Sequence, residues 1–543
     1  MRLSAGPATP AVSEPVVPDG HRAGVVGEAP VAVSGVTSAG AVRTIWTDYL
    51  SMLGAQAAFA CLSVAGLALS ARLLGPQDYG TVVLFLTVVQ LFFIVGTKWT
   101  FPAIIRFGRD TLIRQGQAGE AVRAWAPLFL GTVALCALGF LLGAPVIARI
   151  VGLQSPHAGL YLAVFLLIAV GTAAEQLLQV QGKMKAAAWA PVAGKLAFVV
   201  LLAACSAPRG VAATPALVIR CFAWAMMGEA LLSVACLGRG SLQPGRFDWG
   251  LTRTMARYAL LSWAGFFAAY VSESIDLYFL RFFRGHAEIG VYQVSYQVFL
   301  FLTAGLTVMY TLMFPLLTAW MAEGREDRVR RYAVRFAPQA CVFWGVLVLG
   351  VGVIHTPCFS WLFGSGFAMS GRLFSILLVS SAIQPIFFLY GPLFLAHDRP
   401  GQHTLVVIAM AVVNAVGDLA LVPRYGAVGA ACATAASFAV RAWLCLSWGN
   451  RTLGIDRTAV LVPSAIMVAS VSALIGQPFG VRAAIFAAAT GLLVWWVRGR
   501  GMFSGEDLRM LERVQCPSWV AAGARRVYGF LSLRPVPAKA DGA

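Results

Sequence analysis

Residues 72–80 read Arg72-Leu73-Leu74-Gly75-Pro76-Gln77-Asp78-Tyr79-Gly80, and residues 281–290 read Arg281-Phe282-Phe283-Arg284-Gly285-His286-Ala287-Glu288-Ile289-Gly290. Each stretch closes one apolar run and opens the next at once, as Thr81-Val82-Val83-Leu84 and as Val291-Tyr292-Gln293-Val294. Two glycines five positions apart predict a helix, a tight reversal and a second helix. Six apolar runs separate the two turns, an even number, so both halves have the same orientation in a bilayer. The expected fold is an all-α polytopic membrane protein with two six-helix bundles. A pseudo-two-fold axis along the membrane normal relates them, with a cavity between.

The composition around these turns agrees. Of the 543 residues 59% are hydrophobic and only 12% charged, with a mean hydropathy of +0.77. Soluble domains run near 25% charged, and one membrane-spanning helix needs roughly 20 apolar residues. Apolar segments recur at 50–74, 79–103, 124–151, 158–181, 186–207, 213–237, 255–281, 288–321, 334–363, 371–396, 402–422, 425–449, 459–477 and 480–498. That predicts about fourteen transmembrane helices, or twelve without the two shortest. Pro315 and Pro357 fall in the two longest runs and predict kinks or interfacial turns there.

The expected organisation is a disordered cytoplasmic tail over 1–43, rich in Ala, Pro, Gly, Val and Ser, with no signal-peptide core. A first bundle over 44–237, a second over 255–449, two additional spans over 459–498 and an amphipathic cytoplasmic tail over 499–543 follow. In that last tail Ser504-Gly505-Glu506-Asp507 has the pattern of a capping box. Trp519 to Leu533 reads as a helix lying on the membrane surface.

The net charge of +18 does not point to nucleic acid, because the basic residues sit in short gaps beside apolar runs, where they set orientation and meet anionic lipid. With the N-terminus inside, 29 of the 41 Lys and Arg fall on the cytoplasmic side and 8 outside. The bias predicts both termini in the cytoplasm of a multi-pass inner-membrane protein. Most of the ten cysteines lie within apolar runs and none forms a CxxC pair, so no metal site or disulfide framework is expected. There is no P-loop, no nucleophile–base constellation and no large outer loop for acid–base groups. No catalytic residue, cofactor or metal is therefore assigned.

Leu73-Leu74-Gly75-Pro76-Gln77-Asp78-Tyr79-Gly80, Gln181-Gly182-Lys183-Met184-Lys185 and Val422-Pro423-Arg424-Tyr425-Gly426-Ala427-Val428-Gly429-Ala430-Ala431 together resemble a known family. It is the polysaccharide-transport branch, Wzx-type flippases of O-antigen and exopolysaccharide, of the multidrug/oligosaccharidyl-lipid/polysaccharide exporter superfamily. The resemblance covers about residues 45 to 500, and its motifs are structural turns. It implies a flippase that carries a polyprenyl-diphosphate-linked oligosaccharide across the inner membrane for lipopolysaccharide or exopolysaccharide biosynthesis. It implies membrane lipids, a polysaccharide polymerase and chain-length proteins as partners. The long N-terminal tail departs from the family's short one.

Ionisable residues at membrane depth cost on the order of 3 kcal/mol on insertion scales and tend to face protein or water. Those within the spans are Lys98, Glu175, Lys195, Arg220, Glu229, Glu273, Asp276, Asp418 and Arg441. Lys195 stands near the middle of its span, Arg220 below the outer end of the next, and Lys98 nearer the cytoplasm. Fixed cations in a wet cavity would offset the desolvation of a diphosphate, so these three are the expected substrate path. The competing reading has each neutralising a buried acid such as Glu175 or Glu229. Glu273 and Asp276, three apart on one helix face, suit a proton or sodium coupling site; facing Arg281 and Arg284 is their structural alternative. Asp418 and Arg441 are close enough to span ends to reach water. Trp263, Phe266, Phe267 and Tyr270 could stack on sugar rings, but their helical spacing is that of packing residues or interface anchors. The rival functions are a lipid II flippase or drug/cation antiporter of the same superfamily and, in another class, a membrane polysaccharide polymerase or glycosyltransferase.

Overall fold

The computed structural model describes residues 39–152, 158–206, 213–238, 245–397, 399–453, 457–503 and 518–531. The chain divides into a first unit, Met1–Leu50, of which only the helical residues from Ala39 are described, and a second, Ser51–Ala543. Most of the expected 1–43 tail and the Ser504–Asp507 capping box lie outside the described residues. Among the described residues there is no strand.

Helix α1 (Ala39–Leu91) holds the first two apolar segments, broken at Gly75, whose φ of 69° no other residue type adopts as readily. Pro76 follows, where its missing N–H costs the second half nothing. Helices α2 (Phe101–Gln115), α3 (Gly119–Val151), α4 (Ala158–Val180), α5 (Met184–Ser206) and α6 (Pro215–Cys236) complete the first half. Thr214 starts α6 by accepting from the Leu217 amide at 3.2 Å. Asp248 likewise starts α7 (Trp249–Phe283) through the Gly250 amide at 2.7 Å. Gly285, with φ 123°, separates α7 from α8 (His286–Ala322), repeating the first turn. The short α9 (Glu326–Arg331) and a π turn at Tyr332–Phe336 lead into α10 (Ala337–Phe363). Pro315 and Pro357 both lie inside continuous helices; the irregular turn of this region is the π segment. Then come α11 (Ala368–Ser381), α12 (Gln384–Ala396), α13 (Pro400–Tyr425), α14 (Ala427–Leu453), α15 (Arg457–Ala473), α16 (Phe479–Gly499) and α17 (Ser518–Leu531).

Among the described residues ten helices can, by length and composition, cross a membrane, or eleven when α11 and α12, bent by 43°, count as one. The expectation of fourteen differs in three places. The first two segments form one long element, α7 carries too many polar side chains, and α15 is short. Leu130, Leu142, Val416, Trp443 and Trp495 are exposed. Such a belt would drive aggregation in water and is ordinary surface against lipid.

Helices α4, α5 and α6 pack on one another, α13 packs on α14, and α8 packs on α11 and α12. Helix α7 joins the two groups. Its beginning meets α2 and α3, where Thr252 donates to the Ala124 carbonyl at 2.9 Å and Tyr258 abuts Phe107 edge-on. Its end meets α13, where Arg284 donates to the Pro423 carbonyl at 3.0 Å.

Candidate functional site

The two glycine turns meet. A methyl group on Gly80 would fall on the His286 carbonyl, and one on Gly290 on the Pro76 carbonyl, so only glycine allows this main-chain approach. Around it Arg281 donates to the Ile150 carbonyl at 2.5 Å, His286 lies 2.6 Å from the Val151 carbonyl, and Tyr79 meets Phe367 edge-on. The third family-like stretch docks on the same turn. Glu288 accepts from the Ala427 amide at 2.6 Å and so caps α14, while Gly426, with φ 58°, leaves room for its carboxylate. The second stretch is also structural: Lys183 donates to the Cys236 carbonyl at the end of α6, at 2.7 Å.

Eighteen positions after Gly80 stands Lys98, at an interruption of the helix. A π segment, Phe92–Thr97, gives way to a 3₁₀ turn, Lys98–Thr100, before α2. Three indoles accept the cost of that break by donating to nearby carbonyls: Trp99 to Gly96 at 2.9 Å, Trp263 to Val95 at 2.9 Å and Trp125 to Thr100 at 3.2 Å. Lys98 lies 5.3 Å from the Phe266 ring centre and in the field of Glu273. Among the described residues the two make no ion pair; Glu273 is exposed and Lys98 half-buried. The aromatic set of α7 is therefore largely a seam against α1. Trp263 bonds as above and stacks on Phe267, and Tyr270 donates to the Thr87 carbonyl at 2.9 Å.

Asp276 does not share this setting. It is buried between α7, α8, α13 and α14, and every donor on it comes from another helix. Asn414 donates at 2.5 Å, Thr434 at 2.8 Å, and Tyr292 closely to the same oxygen as Thr434. The fully buried Asp418 carboxyl lies against that of Asp276. Among the described residues, both oxygens of Asp418 and the amide oxygen of Asn414 have no donor. Buried acceptors in such number need a positive partner, and two carboxyls in contact share a proton or a small monovalent cation. Asp276 thus pairs with Asp418 rather than with Glu273, and neither acid forms an ion pair with Arg281 or Arg284, which bond to main-chain carbonyls.

Asp418 and Arg441 correct the expectation that they reach water, since both are buried. Their helix faces are covered by neighbours, which distance from a span end cannot reveal. Arg441 has no carboxylate partner; its guanidinium lies over Phe387 at 4.2 Å and Phe438 at 4.8 Å and donates to Gln384.

The remaining cations separate. Lys195 is half-buried on α5, 5.6 Å from the Phe59 ring centre and in the field of Glu229 without an ion pair. Glu229 packs against the Gly194 backbone, and the Glu175 carboxyl lies in its field. Arg220 does not join them. It is exposed on an apolar stripe of α6 with Trp224 and Leu231, a turn and a half from the helix start. Arg220 and Glu229 lie on different faces.

Residues 45–321 match the family described as polysaccharide biosynthesis protein. The chain is 21% identical over 188 residues to the probable low-salt glycan biosynthesis flippase Agl15 of Haloferax volcanii, a match spanning 35% of this chain and 40% of that relative's length. Among solved structures it resembles lipid II flippase MurJ in an inward closed conformation, with a TM-score of 0.62 and 13% identity over 81% of this chain and 97% of that one. It also resembles an inward-facing multidrug resistance MATE transporter, with a TM-score of 0.58 and 15% identity over 72% of this chain and 94% of that one. These likenesses in structure establish the fold.

Proposed function

Because this chain belongs to the polysaccharide biosynthesis protein family, in the polysaccharide-transport branch of the multidrug/oligosaccharidyl-lipid/polysaccharide exporter superfamily, we propose that it moves a polyprenyl-diphosphate-linked oligosaccharide between the leaflets of the plasma membrane. Cargo enters at the arginine-rich, cytoplasmic end and leaves at the end where the glycine turns meet. No bond is made or broken, in keeping with relatives that are transporters. The reading rests on one observation above others: a half-buried cation, Lys98, held at a built-in helix break facing Phe266 of α7, the helix that packs on both groups.

An anionic diphosphate loses hydration on entering the apolar layer, and Lys98 offsets part of that loss. Lys195 serves the same path from α5, whereas Arg220 takes a place at the lipid interface. The Asp276–Asp418 pair binds the coupling cation, a proton or sodium ion. Filling that site neutralises carboxyls that clamp α7 to α13, so its occupancy biases how the halves meet and supports alternating access.

The test uses purified full-length protein in liposomes containing a fluorescent lipid-linked oligosaccharide. Transfer between leaflets that rises with an imposed proton or sodium gradient, with the lipid chemically unchanged, is the expected result. No transfer above protein-free vesicles, or cleavage of the diphosphate, overturns the proposal. Lipid II as a parallel substrate separates the related cargo class.

A further inference from the structure

At the arginine-rich end, α17 does not lie loose on the surface. Tyr528 and Leu531 are buried against α10 and α16, and the Tyr528 hydroxyl donates to Gln339 at 3.0 Å. Beside this anchor a cavity of about 360 Å³ runs between the three helices, walled by Phe343, Val346, Val494 and Phe530. That volume falls in the range of small-molecule sites, ~300–1,000 Å³. Three features distinguish it from an ordinary packing gap. Thr490, about 12 Å along α16 from its basic end by helical rise, has a buried hydroxyl without a partner. Arg498, over the Phe530 ring at 4.7 Å, has a buried Nε–H without a partner. Arg526 lines the cavity and is exposed.

One cation, Arg526, therefore lines the groove, a second, Arg498, lies over its Phe530 wall, and an unpartnered hydroxyl sits among the apolar side chains further along α16. Two of the walls are membrane helices, so an occupant arrives from the bilayer. We propose that this groove binds an anionic phospholipid, its phosphate held by Arg498 and Arg526, an ester oxygen near Thr490 and an acyl chain along Val494 and Val346. Basic pockets beside membrane helices recognise lipid headgroups in this way. The bound lipid ties α17 to α10 and α16. The inference is independent of the transported cargo.

The test is native mass spectrometry of the full chain released from vesicles of phosphatidylglycerol or phosphatidylcholine. Retention of phosphatidylglycerol over phosphatidylcholine is expected, with a loss of about fivefold for Arg526→Gln and for Arg498→Gln, and no displacement by inorganic phosphate. Val494→Trp, which fills the groove and keeps both charges, also abolishes retention. Arg526 is exposed, so its variant is expected to fold; size-exclusion chromatography verifies each preparation. Equal retention of the two lipids, or unchanged phosphatidylglycerol retention in folded Arg526→Gln and Val494→Trp, overturns the proposal.

Discussion

Asp276 and Asp418 meet carboxyl to carboxyl across α7 and α13, 142 positions apart in the chain, in a pocket that also gathers Asn414, Thr434 and Tyr292. No basic side chain bonds to either acid. In the proposed mechanism the positive partner is the coupling cation, so this pair is where a response to an imposed gradient is tested.

Asp418→Asn replaces one carboxyl by an amide that can donate to Asp276. The protein is expected to keep its stability while transfer of lipid-linked sugar loses its response to a proton or sodium gradient. Rates in liposomes, with and without the gradient, measure this; a variant that still responds as the parent does excludes coupling at the pair. Tyr292→Phe leaves Asp276 one donor short, at a cost of about 1–3 kcal/mol, read as a lowered thermal midpoint.

Gly80→Ala and Gly290→Ala each place a methyl group on a carbonyl of the facing turn. Separation of the turns is expected, with about 1–3 kcal/mol lost and faster labelling of a cysteine introduced beside the junction. Unchanged labelling in both variants would show that the contact is not a barrier.

Lys98→Gln is expected to reduce transfer at least tenfold without lowering the protein level. The double variant Lys98→Gln/Glu273→Gln separates two roles. If Lys98 only balances Glu273, the pair of changes restores transfer; the path reading expects it to stay impaired. Initial rates of the parent and the two variants supply the comparison.

Lys195→Gln leaves the Glu175–Glu229 pair with no cation in its field and is expected to cost on the order of 1 kcal/mol. Arg220→Gln, on an exposed stripe, should fall within about 0.5 kcal/mol of the parent. Thermal unfolding in detergent ranks them, and unaltered export by Lys195→Gln in cells would remove Lys195 from the path.

The helices and the two turns are legible from one chain because apolar length and glycine spacing are local properties. Gly75 and Gly285 have positive φ where the spacing places them. The coupling pair is less legible. Asp276 stands out as an acid at membrane depth, and Glu273 is its nearest acid along the chain, yet three residues of helix turn the two toward different neighbours. Its actual partner comes from α13, and only packing reveals that. The faint signal was Asn414 and Asp418, four apart on one face of an apolar helix. Arg441 was misplaced for the same reason, since distance to a helix end says nothing of what covers the side. Lys98 was readable as a charge, but its helix break depends on indoles from α3 and α7.

The seam at Gly80 and Gly290 is built of peptide groups instead of interlocking side chains. When it parts, water can take up the bared amides and carbonyls at once, so at the glycines themselves little is lost. A joint of this kind suits the alternating access proposed above.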